Sequence, residues 1–195
     1  MILGVEGSPR RGGNSDAMLK IFSSVCEQQG VPFSGAHLRD YRYEPCVGCE
    51  RCRKDKICTK FHDGMTMLYP KILESKGLVL ISPVHNYNVT AWMKSFIDRL
   101  YCFYDFTNDR PRGWSSRLAG QGRKAVIGAI AEQVDKTDMG FTLDAMRMPL
   151  EALGFEIVAE LPVLGIFDAG KVKKNEEEVA KIEKAASALV SSLQK

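Results

Sequence analysis

The feature that most constrains this chain is an alternation of short apolar runs with longer segments of helical spacing. "MILGVEG" (1–7) is apolar and stops at a glycine turn. "GLVLISP" (77–83) is a continuous apolar run closed by Ser-Pro, the pattern of a strand buried on both faces. "KAVIGAIA" (124–131) repeats it, and "FEIVAELPVLG" (155–165) supplies the last strand of a set that we count as five. Residues 15–29 carry Met18, Ile21, Phe22, Val25 and Cys26 at helical spacing, with Asn14 or Ser15 as N-cap and Gly30 just past the end. "NVTAWMKSFIDRLY" (88–101) and residues 141–153 also read as helices, the second bent or interrupted at Pro149 and ended by Gly154. The chain closes on an amphipathic helix whose apolar stripe is Val179, Ile182, Ala186, Leu189 and Leu193.

Strands alternating with helices imply a parallel sheet covered on both faces. The expected fold class is therefore α/β, a flavodoxin-like doubly wound five-stranded parallel sheet, whose ligand sits beyond the carboxyl ends of the strands. At 195 residues, with no repeat or linker, one domain spanning 1–195 is expected. Segment 39–76 exceeds an ordinary crossover and reads as a cysteine-rich loop insertion with a helix around 64–75. A net charge of +3 is too small to argue for nucleic acid as a partner. The apolar run Met1–Val5 has no basic stretch before it, unlike a signal peptide, and nowhere do 18 apolar residues run together to span a membrane. A cytoplasmic location is the expectation. Thiols are kept reduced there, so a tight cysteine cluster reads as a metal site rather than a disulfide framework.

The loops after the strands carry the chemistry. In "GSPRRGGNS" (7–15) the glycines let the backbone turn tightly beside a ligand, while Ser8, Asn14 and Ser15 offer hydroxyl and amide groups. The helix N-terminus that follows adds N–H donors and a positive dipole end, and Arg10 and Arg11 add charge. A Walker loop would carry Lys-Ser/Thr after its second glycine; here Gly12 is followed by Gly13 and Asn14, which disfavours an NTPase. The dinucleotide fingerprint G-x-G-x-x-G is absent. A monophosphate such as that of FMN suits the loop, the alternative being a plain glycine-rich turn before a capped helix. "SPVHNYNVTAWMKSFIDR" (82–99) follows the central strand, where the strand order would reverse. Its His85, Asn86, Tyr87 and Asn88 are placed where a flat heterocycle could lie.

Between these loops, "EPCVGCERCRKDKIC" (44–58) puts four cysteines within 13 residues, spaced Cys46-x2-Cys49-x2-Cys52-x5-Cys58. Three thiols in steps of three with a fourth nearby is the compact arrangement that wraps a cubane. Zinc also takes four thiolates, but its usual sites pair two separated C-x2-C knuckles, and here the knuckles overlap at Cys49. An empty or redox-active thiol set is the third alternative, and His62 stands four residues on as a substitute ligand. Cys26 and Cys102 read as core. Arg51, Arg53, Lys54, Lys56 and Lys60 would raise a cluster's potential, dock an acidic partner or a 2′-phosphate, or simply form a solvated basic face.

Together, "GSPRRGGNS", the cysteine window and "SPVHNYNVTAWMKSFIDR" resemble the NADPH-dependent FMN reductase superfamily, and within it the iron–sulfur flavoprotein branch. The resemblance runs in order from residue 1 to about 130. It implies that Ser8, Arg10, Asn14 and Ser15 hold the FMN phosphate. It places Pro83, Val84, His85, Asn86, Tyr87 and Asn88 on the isoalloxazine, with Ala131 and Glu132 in a third loop. It favours a 4Fe-4S cluster on Cys46, Cys49, Cys52 and Cys58. Where this family commonly has Tyr the chain has His85, and where it often has a glycine within the next few positions the chain has Asn86, Tyr87 and Asn88, of which Asn tolerates φ > 0.

The implied function is that of an FMN-dependent oxidoreductase passing electrons between a ferredoxin-like donor, or NAD(P)H, and a small acceptor. The alternatives are a cluster-free NAD(P)H-dependent FMN or quinone reductase and a non-catalytic flavin electron carrier. Such carriers are usually acidic, which a pI near 8.5 is not. The flavin carries the reaction, so no side chain is assigned as catalytic. The branch also implies a homodimer or homotetramer, with "LYCFYDF" (100–106) either covering the interface or packing in the core.

Overall fold

The computed structural model describes residues 1–194. The chain runs β1 (Ile2–Glu6), α1 (Asn14–Gln28), β2 (Phe33–His37), a single-turn α2 (Cys52–Asp55), α3 (Gly64–Glu74) and β3 (Gly77–Pro83). Next come α4 (Ala91–Arg99), the short strands β4 (Tyr104–Phe106) and β5 (Trp114–Ser116), and β6 (Lys124–Ile130). It ends with α5 (Thr142–Ala152), β7 (Glu156–Val163) and α6 (Glu176–Leu193). Five strands pair in parallel in the order β2-β1-β3-β6-β7. The fold is the expected flavodoxin-like α/β sheet, and its order reverses between β1 and β3, which opens a crevice at their carboxyl ends.

The apolar runs lack a polar face because each strand is covered twice. Along β3, Leu78 and Leu80 enter the core under α3, α4 and α5, while Val79 and Ile81 enter the one under α1 and α6. Phe96 and Met146 fill the first layer, and Met18, Phe22 and Leu189 the second, each with no more than a trace of exposure. A fully buried side chain of this kind stabilises by about 1.5–3 kcal/mol. No helix among the described residues is long and apolar enough to cross a membrane.

Three elements differ from the sequence expectation. β2, "FSGAH", is the strand that no run identified; it is a half-exposed edge strand rich in small residues. Pro149 does not interrupt α5, which continues from Thr142 to Ala152. The proline removes one backbone donor, but Met146 and Leu150, both buried, anchor the helix on either side of it. "LYCFYDF" divides: Leu100, Cys102 and Phe103 enter the core, while Tyr101, Tyr104 and Phe106 join Trp114 on an antiparallel β4–β5 hairpin. There Tyr101 stacks on Phe106 at 4.9 Å, and Tyr104 meets Trp114 edge-on at 5.5 Å.

Candidate functional site: a crevice at the head of α1 and a cysteine recess

β1 delivers Glu6, fully buried, to the base of the first loop. The Ser8 N–H donates to its Oε2 at 2.8 Å, His37 Nδ1 lies 2.8 Å from its Oε1, and the Arg39 guanidinium pairs with it. Arg39 also forks onto Asp16 with contacts of 2.9 and 2.8 Å, and Asp16 accepts the Gly12 N–H at 2.7 Å. The loop is thus pinned from beneath at residues 8 and 12. Burial pushes the Glu6 carboxyl above its usual range, only partly offset by the Ser8 N–H. At Asp16 burial pushes the same way, but the hydrogen bonds from Arg39 and Gly12 outweigh it and hold the carboxyl below the usual range. Glu6, Asp16 and His37 have the types and spacing of a cation site, but the Arg39 guanidinium already stands among them as the counter-charge.

Asp63, on the far side of the sheet, is lowered in the same manner: burial raises it, and Arg99 and the Glu44 and Met65 N–H groups lower it further. Asp16 and Asp63 are the partly buried members of the depressed carboxyls that set the sign of the acid response. The unfolded chain takes up these protons near the ordinary Asp value of about 3.9, whereas the folded chain must be acidified further. Stability from Asp16 and Asp63 is therefore complete above that value and lost as pH falls through their folded values. Glu6 acts oppositely, its contribution fading as pH rises. A melting-temperature series should fall steeply below about pH 4, and fall less in D16N, which has already lost one of these contributions.

No side chain caps α1, whose N-cap is Gly13, so the donors of its first turn point outward. They open onto a cleft lined by Ser8, Arg10, Asn14 and Ser15 on one side and Pro83, Val84, His85 and Glu132 on the other. The two sides are tied together: the Thr90 hydroxyl donates to the Gly7 carbonyl at 2.7 Å, and a Cβ on Gly7 would lie 2.9 Å from Thr90 Oγ1 and Met93 Cβ. Unsatisfied N–H groups beside serine hydroxyls and an arginine fit a phosphate monoester.

The other expected contacts lie elsewhere. Ala131 is buried, its N–H bonded to the Val163 carbonyl at 2.9 Å, and it does not line the cleft. Asn86, Tyr87 and Asn88 are exposed in a tight turn closed by two His85–Asn88 backbone hydrogen bonds. Asn86 has φ 49°, as the sequence allows, and Tyr87 follows at φ 63°. The Asn14 amide is turned away from the cleft: it donates to the Asp168 carbonyl at 3.0 Å, and its oxygen accepts the Val172 N–H at 3.1 Å. Arg11 pairs with Asp40. Ile166, Phe167 and Ala169 form a wall that sequence reasoning missed. Their signal was available, because "GIFDAG" follows the carboxyl end of β7, where ligands of such sheets gather.

Cys46, Cys49, Cys52 and Cys58 line a single recess, floored by Arg99, Tyr101 and Cys102. The chain curls around it through left-handed residues at Gly48, Glu50 and Lys56. Arg99, wholly buried at the end of α4, forks onto Asp63 at 2.7 and 3.1 Å and donates to the Glu44 carbonyl at 2.7 Å. It thereby ties both ends of the cysteine segment to one helix. From the other side the hairpin grips the segment: Arg112 forks onto Glu50, Arg53 donates to the Thr107 carbonyl at 3.1 Å, and Lys56 pairs with Asp105. Two of the five basic residues are therefore used internally, leaving Arg51, Lys54 and Lys60 exposed. His62 does not line the recess. Burial pushes the Cys102 thiol up to about 12, consistent with a neutral structural group.

The four thiols suit a thiophilic group in kind and number. Among the described residues no three of their sulfurs lie within 4.8 Å of one another.

An iron-sulfur flavoprotein of Archaeoglobus fulgidus is 37% identical over 98 residues, covering 50% of this chain and 44% of that protein. One of Methanocaldococcus jannaschii is 29% identical over 130 residues, 67% of this chain and 60% of the other. The chain spans about half the length of the curated relatives it matches. The solved NAD(P)H:quinone oxidoreductase from Methanothermobacter marburgensis superposes with a TM-score of 0.71 over 95% of this chain and 94% of that one. At 16% identity that likeness speaks for the fold. The pattern of the family described as NADPH-dependent FMN reductase matches residues 1–149, which takes in the loop after β1, the cysteine segment and the loop after β3, and the chain belongs to that family.

Proposed function

We propose that this protein is a single-domain redox flavoprotein that holds FMN in the cleft and a 4Fe-4S cluster in the cysteine recess. It would pass electrons from a ferredoxin-like donor or NAD(P)H to a small-molecule acceptor. The observation that carries the reading is the uncapped head of α1 opening onto a cleft at the sheet's switch point. The first-turn N–H groups, Ser8, Arg10 and Ser15 would hold the phosphate. Pro83, Val84, His85 and Glu132 would wall the ring system, and the Asn14 side chain would brace the far wall rather than touch the ligand. Bound FMN supplies one- and two-electron chemistry, and a cluster exchanges electrons singly. The chain's own part is to orient these groups and to keep water from them.

For the recess, the spacing of the four cysteines along the chain supports a cluster over zinc, as do the names of the relatives. We also propose a homodimer or homotetramer working in the cytoplasm. The exposed aromatic hairpin supports assembly, Trp114 being 56% exposed. The name of the Methanothermobacter structure favours, as a second reading, a cluster-free NAD(P)H-dependent quinone reductase. Anaerobic purification followed by a visible spectrum and flavin, iron, sulfide and zinc analysis separates the readings. The expected result is FMN with about four iron and four sulfide per chain. Zinc, or no iron after anaerobic reconstitution with iron and sulfide, refutes the cluster; failure to bind FMN refutes the whole reading.

A further inference from the structure

The far wall of the cleft lies outside residues 1–149, where the family match ends. It is a strap, residues 164–172, fastened at both ends. The Gly165 and Ile166 N–H groups bond the Gln133 and Ala131 carbonyls at 3.0 and 3.1 Å, and the Asn14 amide holds Asp168 and Val172. The strap presents Phe167, half-exposed, to the cleft. Arg10 stands over that ring, its guanidinium carbon 4.4 Å from the centroid. The neighbouring arginines are committed to carboxylates, Arg11 to Asp40 and Arg39 to Glu6 and Asp16. Among the described residues Arg10 has no acidic partner.

We propose that Phe167 is a positioning residue for Arg10, and that the pair makes the cleft select a phosphorylated flavin over its unphosphorylated counterpart. The inference rests on the FMN reading above. A guanidinium stacked by its face keeps its N–H edge free, and that edge matches two phosphate oxygens. An unconfined arginine loses much rotamer freedom on gripping an anion; a ring that already confines it lessens that loss. Because Phe167 is half-exposed and the strap is fastened through its backbone, the ring is not needed to hold the wall in place.

Flavin-fluorescence titrations of the full chain with FMN and with riboflavin test this, using F167A, F167L, R10A and the F167A/R10A pair. F167L keeps apolar bulk without the ring face, and thermal melts establish that each variant folds. Both Phe167 variants should weaken FMN about 3- to 10-fold and leave riboflavin within about twofold of wild type. In the R10A background F167A should add no further loss, because the ring acts through the arginine. Unchanged FMN affinity, equal weakening of riboflavin, or additive losses in the double variant would overturn the proposal while leaving the FMN site standing. A wild-type chain that binds neither flavin overturns the site and the proposal together.

Discussion

Replacing Arg39 with alanine should destabilise the chain by about 3–5 kcal/mol and abolish FMN binding. The guanidinium, 7% exposed, faces both Glu6 and Asp16, whose side chains are 0% and 9% exposed, with the His37 ring beside them. Without it two carboxylates face each other in a desolvated pocket, and the carboxyls that pin Ser8 and Gly12 lose their shape. The loss is a large share of the roughly 5–15 kcal/mol that holds a domain folded. Urea unfolding measures it. R39K keeps the charge without the fork and should fall between wild type and R39A. Adding E6Q to R39A should recover part of the loss, since the two sites share one network. A loss under about 1 kcal/mol would mean that the network is incidental.

Arg99→Met should have a comparable effect on the other side of the sheet, with a different signature. Arg99 satisfies Asp63, the Glu44 carbonyl and the Tyr69 hydroxyl, and stacks 5.1 Å over Phe61. The methionine restores the apolar stem but leaves a partly buried carboxylate without its cation, at a cost of about 3–5 kcal/mol. Both ends of the cysteine segment lose their tie, so iron and sulfide content after anaerobic reconstitution should fall to a small fraction of wild type. The flavin cleft touches none of these groups, and FMN affinity should stay within about threefold (under 0.7 kcal/mol). Equal loss of flavin and iron would show that Arg99 only supports the fold.

The sheet was legible because its central strands are covered twice: "GLVLISP" and "KAVIGAIA" can be little else. The loop after β1 was legible because its pattern is local, a glycine turn running into a helix. What escaped the sequence was long-range or weakly patterned. β2 has neither apolar alternation nor β-branched residues. Glu6 and Arg39 are 33 residues apart, and Asn14 and Asp168 are 154 apart; no spacing rule joins them. For the same reason the sequence did not reveal that the Asn14 amide, assigned to the phosphate by its chemistry and by the family resemblance, also fastens the strap. The four cysteines, close in sequence, line one recess, but their basic neighbours did not read as partly committed, because the partners lie on a hairpin of three-residue strands.

Phosphorus-31 NMR of FMN bound to the wild-type chain tests the placement of the phosphate at the head of α1 most directly. A free phosphate monoester takes up its second proton near a pKa of about 6. Uncapped helix donors and Arg10 favour the dianion, so the bound resonance should not titrate between about pH 5 and 8. A bound resonance that titrates as free FMN does would put the phosphate in solvent and contradict the site.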